Sequence, residues 1–176
     1  MKNRIVLTGF MGTGKTAVGE QLAQKLGCLF LDTDAMVEVA TGKSILEIFE
    51  KQGEAAFREH EKKMLKKALE NEKIVISTGG GAVMDDENRI LMKEKGFVIA
   101  LSASPEVILE RVSQVDNRPM LKFEDKEEKK NQQEKLDKIK NLLSKRSPFY
   151  REANKIVDTT SKKIEETVSE ILKLLN

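Results

Sequence analysis

The stretch Ile5-Val-Leu-Thr-Gly-Phe-Met-Gly-Thr-Gly-Lys-Thr16 decides the fold of this chain. Its apolar, β-rich first part passes directly into Gly9–Thr16, which matches the pattern G-x-x-x-x-G-K-S/T. The following residues, Thr16–Leu26, have helical periodicity and stop at Gly27. A glycine-rich loop between a strand and a helix turns its backbone N–H groups inward, where they bind phosphate oxygens. The stretch therefore predicts a nucleotide-phosphate site at the start of an α/β domain.

The chemistry of this loop, hereafter the P-loop, predicts ATP as a co-substrate and Mg²⁺ as its cofactor. In such a loop the lysine, here Lys15, reaches the β and γ phosphates and acts in catalysis. The hydroxyl of Thr16 is the expected ligand of the metal. The predicted nucleotide-binding residues are Gly12, Thr13, Gly14, Lys15, Thr16 and Ala17.

Further short apolar runs alternate with helical patterns along the rest of the chain. Nearly continuous apolar runs are typical of strands buried on both faces of a parallel sheet. The predicted strands after the first are Cys28–Leu31, Ile74–Ser77, Phe97–Leu101 and Lys155–Val157. The predicted helices between and after them run from Ser44 to about Gly53, over Glu54–Glu70 and Asp85–Lys93, from Ser104-Pro105 onward, and over Ile164–Leu175.

Composition limits the class of partner. The 176 residues fit one domain, 1–176, and the formal net charge is only +2. Lysine runs alternate with glutamate, so we expect no nucleic-acid partner. No apolar run approaches the ~20 residues of a membrane span, and the one cysteine, Cys28, favours a reducing compartment. We expect a cytoplasmic protein with no membrane association.

Two acidic residues, Asp32 and Asp34, follow the second predicted strand. Ligands of open parallel sheets collect at the carboxyl ends of the strands, which places both carboxylates near the phosphates. The third strand offers no carboxylate there, since Thr78-Gly-Gly-Gly81 follows it. The alternative is that either aspartate only caps a helix over Ala35–Ala40.

Three arginines and three glycines suggest an anionic acceptor. Arg58, Arg118 and Arg146 stand beside proline or aromatic residues in a lysine-rich chain, which favours planar recognition of an anion. The alternative for Arg58 is a surface ion pair with Glu61, three residues later. The bare backbone of Gly79–Gly81 permits close approach by a ligand, or forms a tight turn.

The segment Lys122–Lys135 is almost free of apolar residues. Within a small domain such a segment is typical of a mobile lid, which we place at about residues 114–135. The alternative is a solvated start to the helix that continues through Leu136, Ile139 and Leu143.

Together these motifs resemble the shikimate kinase family in order and spacing over nearly the whole chain. The resemblance rests on the P-loop, Asp32-Thr-Asp34, Phe57-Arg58-x-x-Glu61, Gly79–Gly81, Arg118-Pro119, Arg146-x-Pro148-x-Tyr150 and Val157-Asp158-Thr159. It implies a P-loop fold like that of nucleoside monophosphate kinases, with a five-stranded parallel sheet of order 2-3-1-4-5, flanking helices and a mobile lid. It also implies phosphoryl transfer from ATP to the 3-hydroxyl of shikimate, in the pathway to aromatic amino acids.

The resemblance also implies roles for particular residues, with an acceptor region at about 33–61. Asp34 would hydrogen-bond the acceptor hydroxyls, and either remove a proton or only orient the hydroxyl. Asp32 would order Mg²⁺, and Arg118 would come from the lid onto ATP as a catalytic residue. The residues that would bind shikimate are Asp34, Arg58, Gly79, Gly80, Gly81 and Arg146. We expect a monomer whose partners are ATP and shikimate.

The sequence departs from the family in its lid and leaves rival classes to test. Met120 stands where Leu is common, and the stretch Gln114–Lys140 is longer and more charged than usual. A GTPase is disfavoured because Asn154-Lys-Ile-Val157 has Val where a guanine-specific motif has Asp. A nucleoside monophosphate kinase shares the P-loop but needs arginines for a second phosphate, where this chain has bare glycines. Gluconate-type kinases share it too but resemble this sequence less around Arg58 and Gly79–Gly81. A non-catalytic nucleotide-binding subunit is disfavoured because the nucleotide and acceptor elements are both intact.

Overall fold

A computed structural model describes residues 3–113 and 128–175 of the chain. Strands and helices alternate along it, as the sequence predicts. The strands are β1 Arg4–Gly9, β2 Leu29–Asp32, β3 Ile74–Ser77, β4 Phe97–Ser102 and β5 Lys155–Asp158. The helices are α1 Lys15–Leu26, α2 Thr33–Thr41, α3 Ile45–Ala68, α4 Asp86–Lys95, α5 Pro105–Ser113, α6 Glu128–Tyr150 and α7 Ile164–Leu175, with a 3₁₀ turn over Ala82–Met84.

The five strands form one parallel sheet of order β2-β3-β1-β4-β5, which confirms the predicted order. Side chains of the central strand β1 alternate between two cores. Ile5 and Leu7 pack with α1 and α7, whereas Val6 packs on the opposite face with residues of α3, α4 and α6. Burial on both faces explains why the strands read as continuous apolar runs.

Helix α3 begins and bends where local chemistry requires. Ser44 and Glu47 form a reciprocal capping box at the start of α3. Gly53 has φ 83° and ψ 170°, which are not helical angles, and it bends α3 at the boundary predicted between two helices. The bend separates a first part that packs on α2 from a second part that reaches the core near Leu65.

Helix α6 extends further than the sequence indicated. It begins at Glu128 and continues past Pro148 to Tyr150. A helix, the second alternative for this segment, therefore covers residues 128–135, and Gln132, Gln133 and Glu134 within it are exposed. Residues 114–127, which include Arg118 and Met120, lie outside the described residues. Among the helices described, none is both long and apolar enough to cross a membrane.

Candidate active site

A cleft of about 610 Å³ lies at the carboxyl ends of the strands. Parallel strands place their carboxyl ends at one edge of the sheet, so loops that are distant in sequence meet there. The P-loop forms one side of the cleft, and α2, α3, the loop after β3, and α6 form the other. The described residues of the prediction that line it are Gly12, Gly14, Lys15, Thr16, Ala17, Asp32, Asp34, Arg58, Gly79, Gly80, Gly81 and Arg146.

The P-loop is held in shape by contacts among its own residues. Gly9 has φ 138°, and a Cβ there would lie 2.2 Å from the carbonyl oxygen of Leu101, so only glycine fits. The Nζ atom of Lys15 donates to the carbonyl oxygens of Gly9 and Phe10, at 2.9 and 3.0 Å. Lys15 is 9% exposed, and these two bonds hold its charge at the mouth of the loop.

Asp32 caps α2 and also bonds to the P-loop, whereas its role toward Mg²⁺ stays a prediction. One carboxylate oxygen, Oδ1, accepts from the backbone N–H groups of Asp34 and Ala35 at 2.9 and 3.4 Å and caps α2. The other, Oδ2, accepts from the Thr16 hydroxyl at 2.9 Å. A hydroxyl and a carboxylate oxygen facing the phosphate loop suit Mg²⁺, which usually takes one or two carboxylates, water and phosphate oxygens. No group of three or more His, Cys, Asp or Glu side chains in ranges 3–113 and 128–175 is arranged to hold a metal ion without other ligands.

On the acceptor side, Arg58 belongs to a partly buried ion network. Its Nη1 atom donates to Oε2 of Glu61 at 2.7 Å, and Nη2 donates to Glu54 at 2.9 Å. The Glu61 side chain is 1% exposed, so this is not the surface pair of the alternative. Burial raises the pKa of Glu61, and the positive charge of Arg58 acts in the opposite direction.

Arg146 of α6 lines the same cleft as Arg58 and Glu61. Its residue is 5% exposed, and its guanidinium carbon lies 5.4 Å from the ring centre of Phe10. Its charge also lowers the pKa of Glu61. Arginines from α3 and α6 thus line the cleft together with the P-loop and one buried carboxylate, Glu61, an arrangement suited to binding the carboxylate of a ligand.

The glycines after β3 make room for the protein's own charged groups. A Cβ on Gly79 would lie 2.2 Å from Oε1 of Glu61 and 2.6 Å from Oδ1 of Asp34. A Cβ on Gly81 would lie 2.3 Å from Nη2 of Arg58. The bare backbone of these glycines therefore accommodates side chains of the cleft wall, and close approach by a ligand stays a prediction from the sequence.

Two residues with contacts at the cleft were not assigned a role from the sequence. Arg111 of α5 donates to the carbonyl oxygen of Gly12 at 3.2 Å and to that of Thr159 at 2.8 Å. The Thr159 hydroxyl donates to the carbonyl oxygen of Thr13 at 3.2 Å. Only the motif ending in Thr159 carried a signal, because nothing local distinguishes Arg111 from other helix-surface arginines.

A sequence model described as shikimate kinase matches residues 11–176. Curated relatives with this name include that of Caldanaerobacter subterraneus subsp. tengcongensis, 46% identical over 173 residues, covering 98% of this chain and 95% of the relative. That of Thermodesulfovibrio yellowstonii is 47% identical over 173 residues, covering 98% and 94%. The solved shikimate kinase of Acinetobacter baumannii in complex with shikimate has a TM-score of 0.90 and 37% identity, covering 98% of this chain and 92% of that one.

Proposed function

The chain belongs to the shikimate kinase family and is an ATP-dependent kinase of aromatic amino acid biosynthesis, and we propose that the cleft described above phosphorylates the 3-hydroxyl of shikimate. The products are shikimate 3-phosphate and ADP. The single observation that carries this assignment of the cleft is that two arginines, Arg58 and Arg146, line it together with the P-loop. Shikimate carries one carboxylate, which two guanidinium groups can bind in a fixed orientation.

The phosphate half of the reaction is assigned to the P-loop. In this proposal Lys15 exchanges its bonds to the carbonyl oxygens of Gly9 and Phe10 for bonds to the transferred phosphate. Thr16 and Asp32 would hold Mg²⁺, which supplies positive charge to the phosphate oxygens when bound. Arg118 stays a proposal from the sequence, as a further positive charge brought by the lid.

The acceptor half is assigned to residues from about 33–61, the loop after β3, and α6. Asp34 lies at the start of α2 and lines the cleft, so we assign it to hydrogen-bonding and orienting the acceptor hydroxyl. In a loose phosphoryl-transfer transition state, positioning and charge stabilisation supply most of the catalysis. Gly79–Gly81 would contact shikimate through backbone groups.

An ADP-release assay with shikimate, gluconate, AMP and CMP tests the assignment of the acceptor. We expect Mg²⁺-dependent turnover with shikimate and little with the other three. Robust turnover of AMP or CMP with none of shikimate would contradict it and leave the fold intact. That the enzyme is a monomer and is cytoplasmic stays a prediction from the sequence.

A further inference from the structure

Tyr150, the last residue of α6, bonds directly to the glycine loop. It is the only tyrosine in the chain and is 8% exposed. Its hydroxyl donates to the carbonyl oxygen of Gly80 at 2.6 Å. Burial raises the pKa of Tyr150 to about 12, although the charge of Arg146 and a hydrogen bond from it act in the opposite direction. The hydroxyl is therefore a neutral donor throughout the range in which enzymes of this kind are assayed.

The bond fixes a peptide unit against which Arg58 packs. The carbonyl of Gly80 and the N–H of Gly81 belong to one planar trans peptide and point in opposite directions. Holding the carbonyl therefore also sets the direction of the N–H. The Arg58 guanidinium lies so close to Gly81 that an added Cβ would be 2.3 Å from Nη2. A rotation of this peptide would move the surface that supports the guanidinium.

The other end of the contact is the helix that carries Arg146. Tyr150 follows Arg146 by four residues, so the two side chains lie on one face of α6. The Arg146 charge acts on both Tyr150 and Glu61. Tyr150 thus connects α6, the helix that carries Arg146, to the glycine loop against which Arg58 packs.

The end of α6 is anchored to the rest of the fold by other contacts. Glu152 accepts from Lys93 at 2.7 Å, and Asn154 accepts from the backbone N–H of Val98 at 2.8 Å. The Arg89 guanidinium carbon lies 4.3 Å from the ring centre of Phe149. These contacts lie outside the cleft and hold the end of α6 against the rest of the fold. The Tyr150 hydroxyl is therefore not required to keep α6 in place.

We propose that Tyr150 is a positioning residue that fixes the spacing of the Arg58 and Arg146 guanidinium groups through its hydroxyl bond to Gly80. The inference rests on the proposed binding of shikimate by these two arginines. It assigns to the hydroxyl no contact with the reacting atoms. Its loss should weaken acceptor binding and leave nucleotide binding intact.

The test compares Tyr150→Phe, which keeps the buried ring, with two controls on the same segment. Leaving the Gly80 carbonyl without its donor should raise the shikimate Kd about tenfold, with the ADP Kd unchanged. Ser144→Ala removes a hydroxyl that bonds within α6, to Asn141, and should change neither constant. Asn154→Ala removes an anchor outside the cleft, so it should lower Tm without changing the shikimate Kd.

Because the chain has one tyrosine, growth on 3-fluorotyrosine labels position 150 alone. This variant keeps the ring and the hydroxyl, so it should retain wild-type affinity for shikimate, and its ¹⁹F resonance should shift with shikimate and not with ADP alone. An unchanged shikimate Kd in Tyr150→Phe would overturn this inference alone. So would a rise in the shikimate Kd no larger than the one that Asn154→Ala shows for the same loss of Tm. Absence of shikimate binding by the wild type would overturn the proposed function as well.

Discussion

The phosphate half of the cleft is built from one continuous stretch of chain, whereas the acceptor half is assembled from separate elements. The phosphate half, Gly9–Thr16, is shaped mainly by bonds between residues at most six positions apart, and Asp32, Arg111 and Thr159 bond to it from other elements. The acceptor half draws Asp34 from α2, Arg58 and Glu61 from α3, Gly79–Gly81 from the loop after β3, and Arg146 from α6.

This difference in construction follows from the ligand that each half is proposed to bind. Phosphate oxygens are bound by backbone N–H groups that any suitable loop provides, so a local motif is sufficient. A small carboxylate with hydroxyl groups is bound by charged side chains, which require neighbouring carboxylates when they are buried. The acceptor half therefore depends on a network, in which the Arg58 guanidinium bonds to the buried carboxylate of Glu61 and the charge of Arg146 also acts on that carboxylate.

Replacing Lys15 with alanine should have the largest effect and should be confined to the phosphate half. The lysine neutralises charge that moves during transfer, so its loss should lower kcat about a hundredfold or more. Folding should be largely preserved, because the loop keeps its glycines and the Thr13 hydroxyl bond to Phe10. Steady-state kinetics and thermal melting check this, with Lys25→Ala on the exposed end of α1 as the control. A folded Lys15→Ala protein with near-normal kcat would mean that the phosphate site is misplaced.

Replacing Arg58 or Arg146 with alanine should act mainly on the acceptor half. Hydrogen bonds to charged groups contribute about 1.5–3 kcal/mol, so each substitution should raise the shikimate Kd roughly ten- to a hundredfold. Because both would bind one carboxylate, the double substitution should be less than additive. Calorimetric titration with shikimate and with ADP measures both effects, and Arg151→Ala, an exposed arginine at the end of α6, is the matched control. Strict additivity, or an unchanged shikimate Kd, would show that the arginines do not share a ligand.

Replacing Glu61 with glutamine should have the smallest effect on function and a distinctive effect on stability. Arg58 loses its buried partner but keeps Glu54, so the shikimate Kd should rise only several-fold. Burial raises the pKa of Glu61, so the folded state binds its proton more tightly than the unfolded state. Wild-type stability relative to Glu61→Gln should therefore be greatest below the unfolded pKa, about 4.3, and should fall as pH rises through the folded pKa.

Melting of both proteins between about pH 4 and pH 8 measures that difference, since glutamine does not titrate. Glu54→Gln is the control, because Glu54 is 54% exposed and such pairs contribute little. If wild-type stability relative to Glu61→Gln instead increases with pH, the ion pair with Arg58 outweighs burial. The acceptor half would then depend less on the cost of burying charge than the burial of Glu61 indicates, and its contrast with the phosphate half would be smaller.

The sequence by itself determined the features that depend on neighbouring residues. The P-loop, the capping box at Ser44, the helix boundary at Gly53 and the five strands are local patterns that the structure confirms, with Gly53 forming a bend within α3 instead of an end. The strand order came from the resemblance of the whole motif set, and the sheet confirms it.

Only the tertiary structure decided how the acceptor half is assembled. The burial of Glu61, the charged neighbours of Gly79 and Gly81, and the contacts of Arg111 join residues that are far apart in sequence. The start of α6 at Glu128 was left open because its charged first turns carry no apolar periodicity. A residue's burial and partners are set by the packing of other elements around it, so no local pattern could specify that Glu61 would be buried in a cleft lined by two arginines.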